Sequence, residues 1–214
     1  MIAFRGKVKI LLWTLCCLLT TTSAAESRTP TEDTLNHLMV VLGEHPVIRG
    51  NFVQRKTIKI LTRPLISSGF FVMSRSNGLY WRQTKPFLSE LLVTRDVVAQ
   101  RFHNGDISRY TNTEQPIISN ISKIFLALWS GDIETLNTVF RIQATPVGQG
   151  WQLTLLPHDG VAKKILSGIV VQGDDYIREL EIQEHNGNLT KTVFSDISAA
   201  DRLKENESGF FSWH

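Results

Sequence analysis

Apolar positions along this chain follow two different periods, and the switches between them mark the elements. From Thr34 to His45 they fall at Leu35, Leu38, Met39 and Leu42, a helical spacing stopped by Gly43 and Pro46, with Thr31 or Asp33 able to cap the start. After Arg49-Gly50 short runs separated by turn signals predict strands at about 50–60, 66–75, 79–84, 87–94, 97–103 and 107–111. The separators are Arg63-Pro64, Asn77-Gly78, Lys85-Pro86, Arg95-Asp96 and Asn104-Gly105-Asp106. Asn77-Gly78 signals a tight hairpin, because residues that accept positive φ are needed there. Pro116 then opens a second helical period. Ile117, Ile118, Ile121, Ile124, Phe125, Leu128 and Trp129 share one side, and Ser119, Asn120, Ser122, Lys123 and Ala127 fall largely on the other. Ser130-Gly131-Asp132 ends it, with Asp132 placed to cap a short turn through Leu136. Strands resume at about 139–145, 151–156, 165–173, 176–185 and 188–197, with Asn186-Gly187 as another hairpin signal. Trp151, Leu153 and Leu155 alternate with Gln152 and Thr154, the pattern of a sheet with one apolar and one wet face. The tail after Ala199 is polar, with Phe210, Phe211 and Trp213 and no period.

Short links between successive strands favour an antiparallel meander, since parallel pairing needs crossovers of about a dozen residues or more. The fold class is therefore mainly β. Some eleven strands with two substantial helices leave too little cover for both faces, so the sheet closes, or curls and encloses something. The stripe on residues 117–129 suits either ordinary core packing or a movable lid over a curled sheet.

The first residues change the accounting. Arg5, Lys7 and Lys9, an apolar run from Ile10 to about Leu19, and small residues through Ala25 form the three-part pattern of a cleavable secretory signal. The run is shorter than the roughly 20 residues a membrane span needs. Residues 1–25 are thus expected to be removed, leaving 26–214 as one exported domain. Cys16 and Cys17 leave with them. The Lys plus Arg count drops from 23 to 20, equal to the 20 Asp and Glu, so the basic footprint that nucleic acid binding requires disappears.

Candidate chemistry is sparse. The six histidines lack paired metal-ligand spacing, so no metal is expected. There is no G-x-S-x-G, P-loop or dinucleotide fingerprint, and no cofactor is expected. His158-Asp159-Gly160 and Asp174-Asp175 read as turns. No catalytic residue is assigned, and the reading is a non-enzyme.

Four segments in order carry a resemblance. Gly50-Asn51-Phe52-Val53-Gln54 is followed by Arg63-Pro64-Leu65-Ile66-Ser67-Ser68-Gly69-Phe70-Phe71, then Arg75-Ser76-Asn77-Gly78-Leu79-Tyr80-Trp81, then Pro86-Phe87. Over roughly residues 35–95 their order and spacing resemble the periplasmic outer-membrane lipoprotein carriers, the LolA-like family, in a divergent branch. The resemblance implies an incomplete, strongly curved antiparallel barrel with a helical lid that shelters acyl chains of a lipoprotein. It implies an inner-membrane donor and an outer-membrane acceptor as partners of a monomeric carrier. Arg75 matches a family arginine that helps hold the lid closed; Ser76 departs from the usual Pro. The candidate lining is Phe71, Met73, Leu79 and Trp81 from the sheet and Ile121, Ile124, Phe125 and Leu128 from the lid. A two-residue turn at Asn77-Gly78 and a longer loop predict opposite faces for the sheet residues. The cargo stays open: a lipoprotein, or another acylated lipid, glycolipid or polyene, with a lipid-sensing role as the alternative.

Overall fold

The structure, a computed structural model, describes residues 42–111, 126–158 and 160–212, together with Leu35, Leu38, Val40 and Ile124. The described residues form eleven strands: β1 (Val47–Thr57), β2 (Leu65–Ser74), β3 (Gly78–Lys85), β4 (Ser89–Val93), β5 (Val97–Phe102), β6 (Ile107–Thr111), β7 (Phe140–Val147), β8 (Gly150–Pro157), β9 (Leu166–Gly173), β10 (Ile177–Glu184) and β11 (Leu189–Ala200). Two short helices, α1 (Ile133–Asn137) and α2 (Gly160–Ile165), and a 3-10 turn over Glu205–Phe211 complete the regular elements. Described residues of the first expected helix, Leu35, Leu38, Val40, Leu42 and Gly43, are helical, as are Ile124 and residues 126–130 of the second. Asp132 caps α1 as its position suggested, its carboxylate accepting from Thr135 N at 3.0 Å.

All strands join one antiparallel sheet in the order β6-β5-β4-β3-β2-β1-β11-β10-β9-β8-β7. The chain walks outward from β1 to β6, starts again at the far edge with β7, and walks inward until β11 pairs with β1 from Val47↔Ala200 to Thr57↔Leu189. β6 and β7 are the two edges, so the curved sheet is an incomplete barrel. This order fixes the course of the β6–β7 link. It must travel from one edge to the other, and the helical residues 126–130 and α1 lie on that crossing.

Alternation along the strands gives the sheet two unequal faces. Phe52, Phe71, Met73, Leu79, Val93 and Val98 from β1–β5 join Leu153, Leu155, Ile169, Val171, Leu180 and Phe194 from β8–β11 in one buried cluster. Leu38, Leu42, Ile124, Leu128 and Trp129 complete it, so the inner face is where the helical residues pack. The outer face carries a smaller apolar layer in which Val72, Tyr80, Leu92 and Ala99 are successive register partners. Phe210 of the 3-10 turn stacks on Tyr80 there, with ring centroids 4.4 Å apart.

Two local features differ from the sequence reading. The expected turn at His158-Asp159-Gly160, of which Asp159 lies outside the described residues, leads into α2, a helix the sequence reading lacked, in which Ala162 and Ile165 sit three apart and both pack against the core. The aromatic tail, which has no period, is ordered by the contacts of its own rings and one carboxylate described below.

Candidate functional site

The β2–β3 hairpin decides what faces inward. Ser74 pairs with Gly78, leaving a three-residue loop of Arg75, Ser76 and Asn77. Asn77 turns back on Ser74, N to O at 3.3 Å and Nδ2 to Oγ at 3.2 Å. Gly78 opens β3 at φ 106°, and a Cβ there would stand 2.1 Å from Val93 O, so the position requires glycine. The odd loop length sets the parity: Phe71 faces Trp81 and Met73 faces Leu79 on the inner side. Phe71, Met73 and Leu79 are buried, and Trp81 is half-buried against the same cluster. Ile124 and Leu128 meet them from the crossing segment. The structure thus brings six of the eight candidate lining residues together; Ile121 and Phe125 lie outside the described residues.

An aromatic group at the middle of the inner face binds the two halves of the sheet to the crossing segment. Phe52 and Trp81 stack at 3.7 Å although β1 and β3 are not neighbours. Alternate strands lie nearly 10 Å apart, and the rings meet because Gly69, directly opposite Phe52 on the intervening β2, has no side chain. A Cβ on Gly69 would also fall 1.9 Å from Arg82 O, so the glycine of the segment Ser68-Gly69-Phe70-Phe71 has a steric cause. Phe194 from β11 stands edge-on to Phe71 at 5.4 Å and to Trp81 at 6.1 Å. Trp129 of the crossing segment stands edge-on to Phe194 at 5.2 Å and to Phe71 at 5.9 Å. Such pairs each add about 0.5–1.5 kcal/mol beyond their buried area. Phe52, Trp129 and Phe194 were absent from the candidate lining. Trp129 stood in the helical stripe and Phe52 in the first motif, so both carried a signal; Phe194, 123 residues beyond Phe71, carried none.

Arg75 sits at the rim. Its Nη2 donates to Leu42 O at 3.2 Å and to Ser130 O at 3.5 Å. Both oxygens belong to the last turns of helical segments, where carbonyls lack intrahelical partners and the dipole favours a cation. One exposed guanidinium therefore ties the end of the first helix to the end of the crossing segment. It also lines a hollow of about 380 Å³ with Met73, Arg95, Asp96, Leu126 and Asp132. Deeper in, the gap between Leu42, Ile48, Phe71, Trp129, Tyr176, Ile177 and Ile197 is only about 10 Å³. Side chains of the crossing segment occupy the inner face in this conformation.

Charged groups cluster on the outer face instead. Arg49 Nε and Nη2 each donate to the Glu207 carboxylate at 2.8 Å, and Lys204 N donates to it at 2.8 Å. Burial raises the Glu207 pKa, but these hydrogen bonds and the Arg49 charge outweigh it and hold the carboxyl below its ordinary value. Tyr80 donates to Glu90, which Arg101 Nη1 reaches at 3.1 Å; burial and then Glu90 push the phenol up, so it stays a neutral donor. His158 contacts Asn137 O at 3.1 Å, and Asp174 pairs with Arg178 and receives Tyr176 N, so both act in turns. Among the described residues no group of three His, Cys, Asp or Glu side chains is placed to hold a metal, and no helix is long and apolar enough to cross a membrane.

No curated protein matches the sequence. Solved structures similar to it include a DUF1329 family protein from Desulfovibrio piger, 9% identical, covering 84% of this chain and 97% of that one with a TM-score of 0.47. A LolA superfamily protein from Nitrosomonas europaea is 8% identical and covers 87% of this chain and 99% of that one, with a TM-score of 0.45. The family model for outer membrane lipoprotein carrier protein LolA-like sequences matches residues 28–208, and the chain belongs to that family.

Proposed function

We propose that the protein is an exported carrier, with residues 1–25 as its cleaved signal, that shelters acyl chains on the inner face of the sheet while they cross the periplasm. The observation that carries this is the apolar inner face, covered by Ile124, Leu128 and Trp129 of the β6–β7 link, whose helical end is tied at the rim by Arg75. Residues 124–130 are the lid, and Arg75 is its latch.

A carrier must bind hydrocarbon and release it. Burying a methylene is worth about 0.8 kcal/mol, so some ten methylenes gain about 8 kcal/mol. Ile124, Leu128 and Trp129, at about 1.5–3 kcal/mol for each large apolar side chain, are together worth roughly 4.5–9 kcal/mol in the closed state. Cargo and lid compete for the same surface at similar free energy, so exchange is reversible and needs no chemical step. Phe71, Met73, Leu79 and Trp81 supply the surface from the sheet, and Ile121 and Phe125 extend the lid stripe. An acylated lipoprotein is the cargo, received from an inner-membrane donor and delivered to an outer-membrane acceptor.

Native mass spectrometry of the protein isolated from its own envelope tests this directly. A co-purified lipid or lipoprotein, displaced by a fluorescent fatty-acid probe, is the expected result. Absence of both retained lipid and probe uptake overturns it.

A further inference from the structure

We infer that the tip of the β1–β2 hairpin is a docking surface for an anionic lipid bilayer. The tip and its base expose four large apolar side chains: Ile60 at 89%, Leu61 at 45%, Leu65 at 53% and Ile66 at 56%. The β3–β4 turn adds Phe87 at 71% and Leu88 at 39%. Both turns lie at one end of the sheet, because Lys56 pairs with Leu65 and Ser68 with Lys85. Pairing between β2 and β3 stops at Ser68, so the chain from Leu65 back through the tip projects beyond β3. Hairpin tips ordinarily carry Gly, Asn, Asp and Ser. Here the loop reads Ile58-Lys59-Ile60-Leu61-Thr62-Arg63-Pro64. Its apolar ends are held out by an ordered turn, with Leu61 N bonded to Ile58 O at 2.9 Å and Lys59 N bonded to Asn188 Oδ1 at 3.1 Å.

The two turns themselves carry charge of one sign, and the neighbouring β10–β11 hairpin brings one carboxylate, Glu184, beside Lys56. Between Glu44 and Glu90 the chain has no acidic residue and eight Lys and Arg, of which Lys56, Lys59, Arg63 and Lys85 stand at this end. Lys56 Nζ lies 3.6 Å from Glu184 Oε1, while Lys59 and Arg63 have no carboxylate within ion-pair distance among the described residues. A projecting apolar point ringed by cations fits the boundary between acyl chains and anionic headgroups, where each basic residue adds about fivefold to binding. A protein partner fits less well. Standard interfaces take about 800 Å² per side and deplete lysine, whereas this surface is a narrow tip with lysine beside it. The inference stands apart from the inner face, since none of these residues belongs to its buried cluster.

Co-sedimentation with vesicles of phosphatidylcholine alone, and of phosphatidylcholine mixed with phosphatidylglycerol, tests it. The protein is expected to bind the mixed vesicles several-fold more tightly, and less so as salt rises. Ile60→Asp with Phe87→Asp lowers that binding by about tenfold or more, and Lys59→Glu with Arg63→Glu removes the preference for the anionic vesicles. An Ile60→Trp variant shows emission quenched by brominated acyl chains beyond the wild-type level. Unchanged thermal midpoints and unchanged uptake of a fatty-acid probe in these variants separate the tip from the fold and from the carrier cavity. The assignment is overturned by absence of vesicle binding at low salt or by binding that ignores the substitutions. It is equally overturned if probe uptake falls in parallel, or if the substitutions spare vesicles and abolish capture of an envelope protein.

Discussion

Two arginines show how the same side chain serves opposite ends. Arg49 meets a carboxylate whose side chain is only 6% exposed, with two 2.8 Å bonds, and nothing about that pair is built to part. Arg75 is exposed and holds two carbonyls at 3.2 and 3.5 Å, which water can solvate once it leaves. Arg49→Leu strands the Glu207 carboxylate, which costs about 3–5 kcal/mol, so a clear drop in the thermal midpoint with unchanged probe affinity is expected. Arg75→Leu costs only about 1 kcal/mol of stability and raises the affinity for a fluorescent fatty acid several-fold, because the closed state loses its tie. Arg75→Lys, a point charge without the fork, falls between wild type and Leu. A calorimetric scan beside a probe titration reads both quantities, and an Arg75→Leu protein with unaltered affinity removes the latch.

At the scale of elements, the strands were legible because some, such as β8, alternate with period two and most are bounded by a residue suited to a turn. The first helix and Asp132 were legible from spacing and capping alone. Hairpin length was not, since Asn77-Gly78 suits two-residue and three-residue loops alike and only cross-strand pairing, Ser74 with Gly78, separates them. The 3-10 turn had no pattern to find. Its order comes from Arg49, about 160 residues earlier, and from Tyr80 under Phe210. That dependence makes the tail sensitive to acid. Glu207 has a folded pKa below its ordinary 4.5, so its contribution is complete above that value and fades as the pH falls through the depressed one. Hydrogen exchange over residues 205–211 is therefore expected to accelerate in acid, before the inner core opens. Glu207→Gln has fast exchange at every pH and shows no such step; an acid step that survives the substitution assigns it to another group.

For the whole molecule, the closing pairs of β1 with β11 set everything else, and they had no signature in sequence because the residues they join, such as Phe52 and Phe194, are far apart in the chain. Once they form, the link has to run from one edge of the sheet to the other, and its described residues Ile124, Leu128 and Trp129 pack on the inner face. That leaves one question of energetics, namely whether the crossing segment is fixed core or a competitor of cargo. The two readings agree that Trp129→Ala destabilises the fold, by about 3–5 kcal/mol. They disagree on binding. If residues 124–130 and an acyl chain exclude one another, free energy lost by the closed state is returned to the bound state, and each 1.4 kcal/mol transferred tightens binding tenfold. Trp129→Ala then lowers the thermal midpoint and tightens probe binding by at least tenfold. Phe194→Ala, on the sheet side of the same contact, lowers the midpoint similarly but weakens binding, because the surface it removes is shared by both states. Stability and affinity thus move in opposite directions for the lid and together for the sheet. If both variants lose affinity, the crossing segment is permanent core, and hydrocarbon cannot take its place.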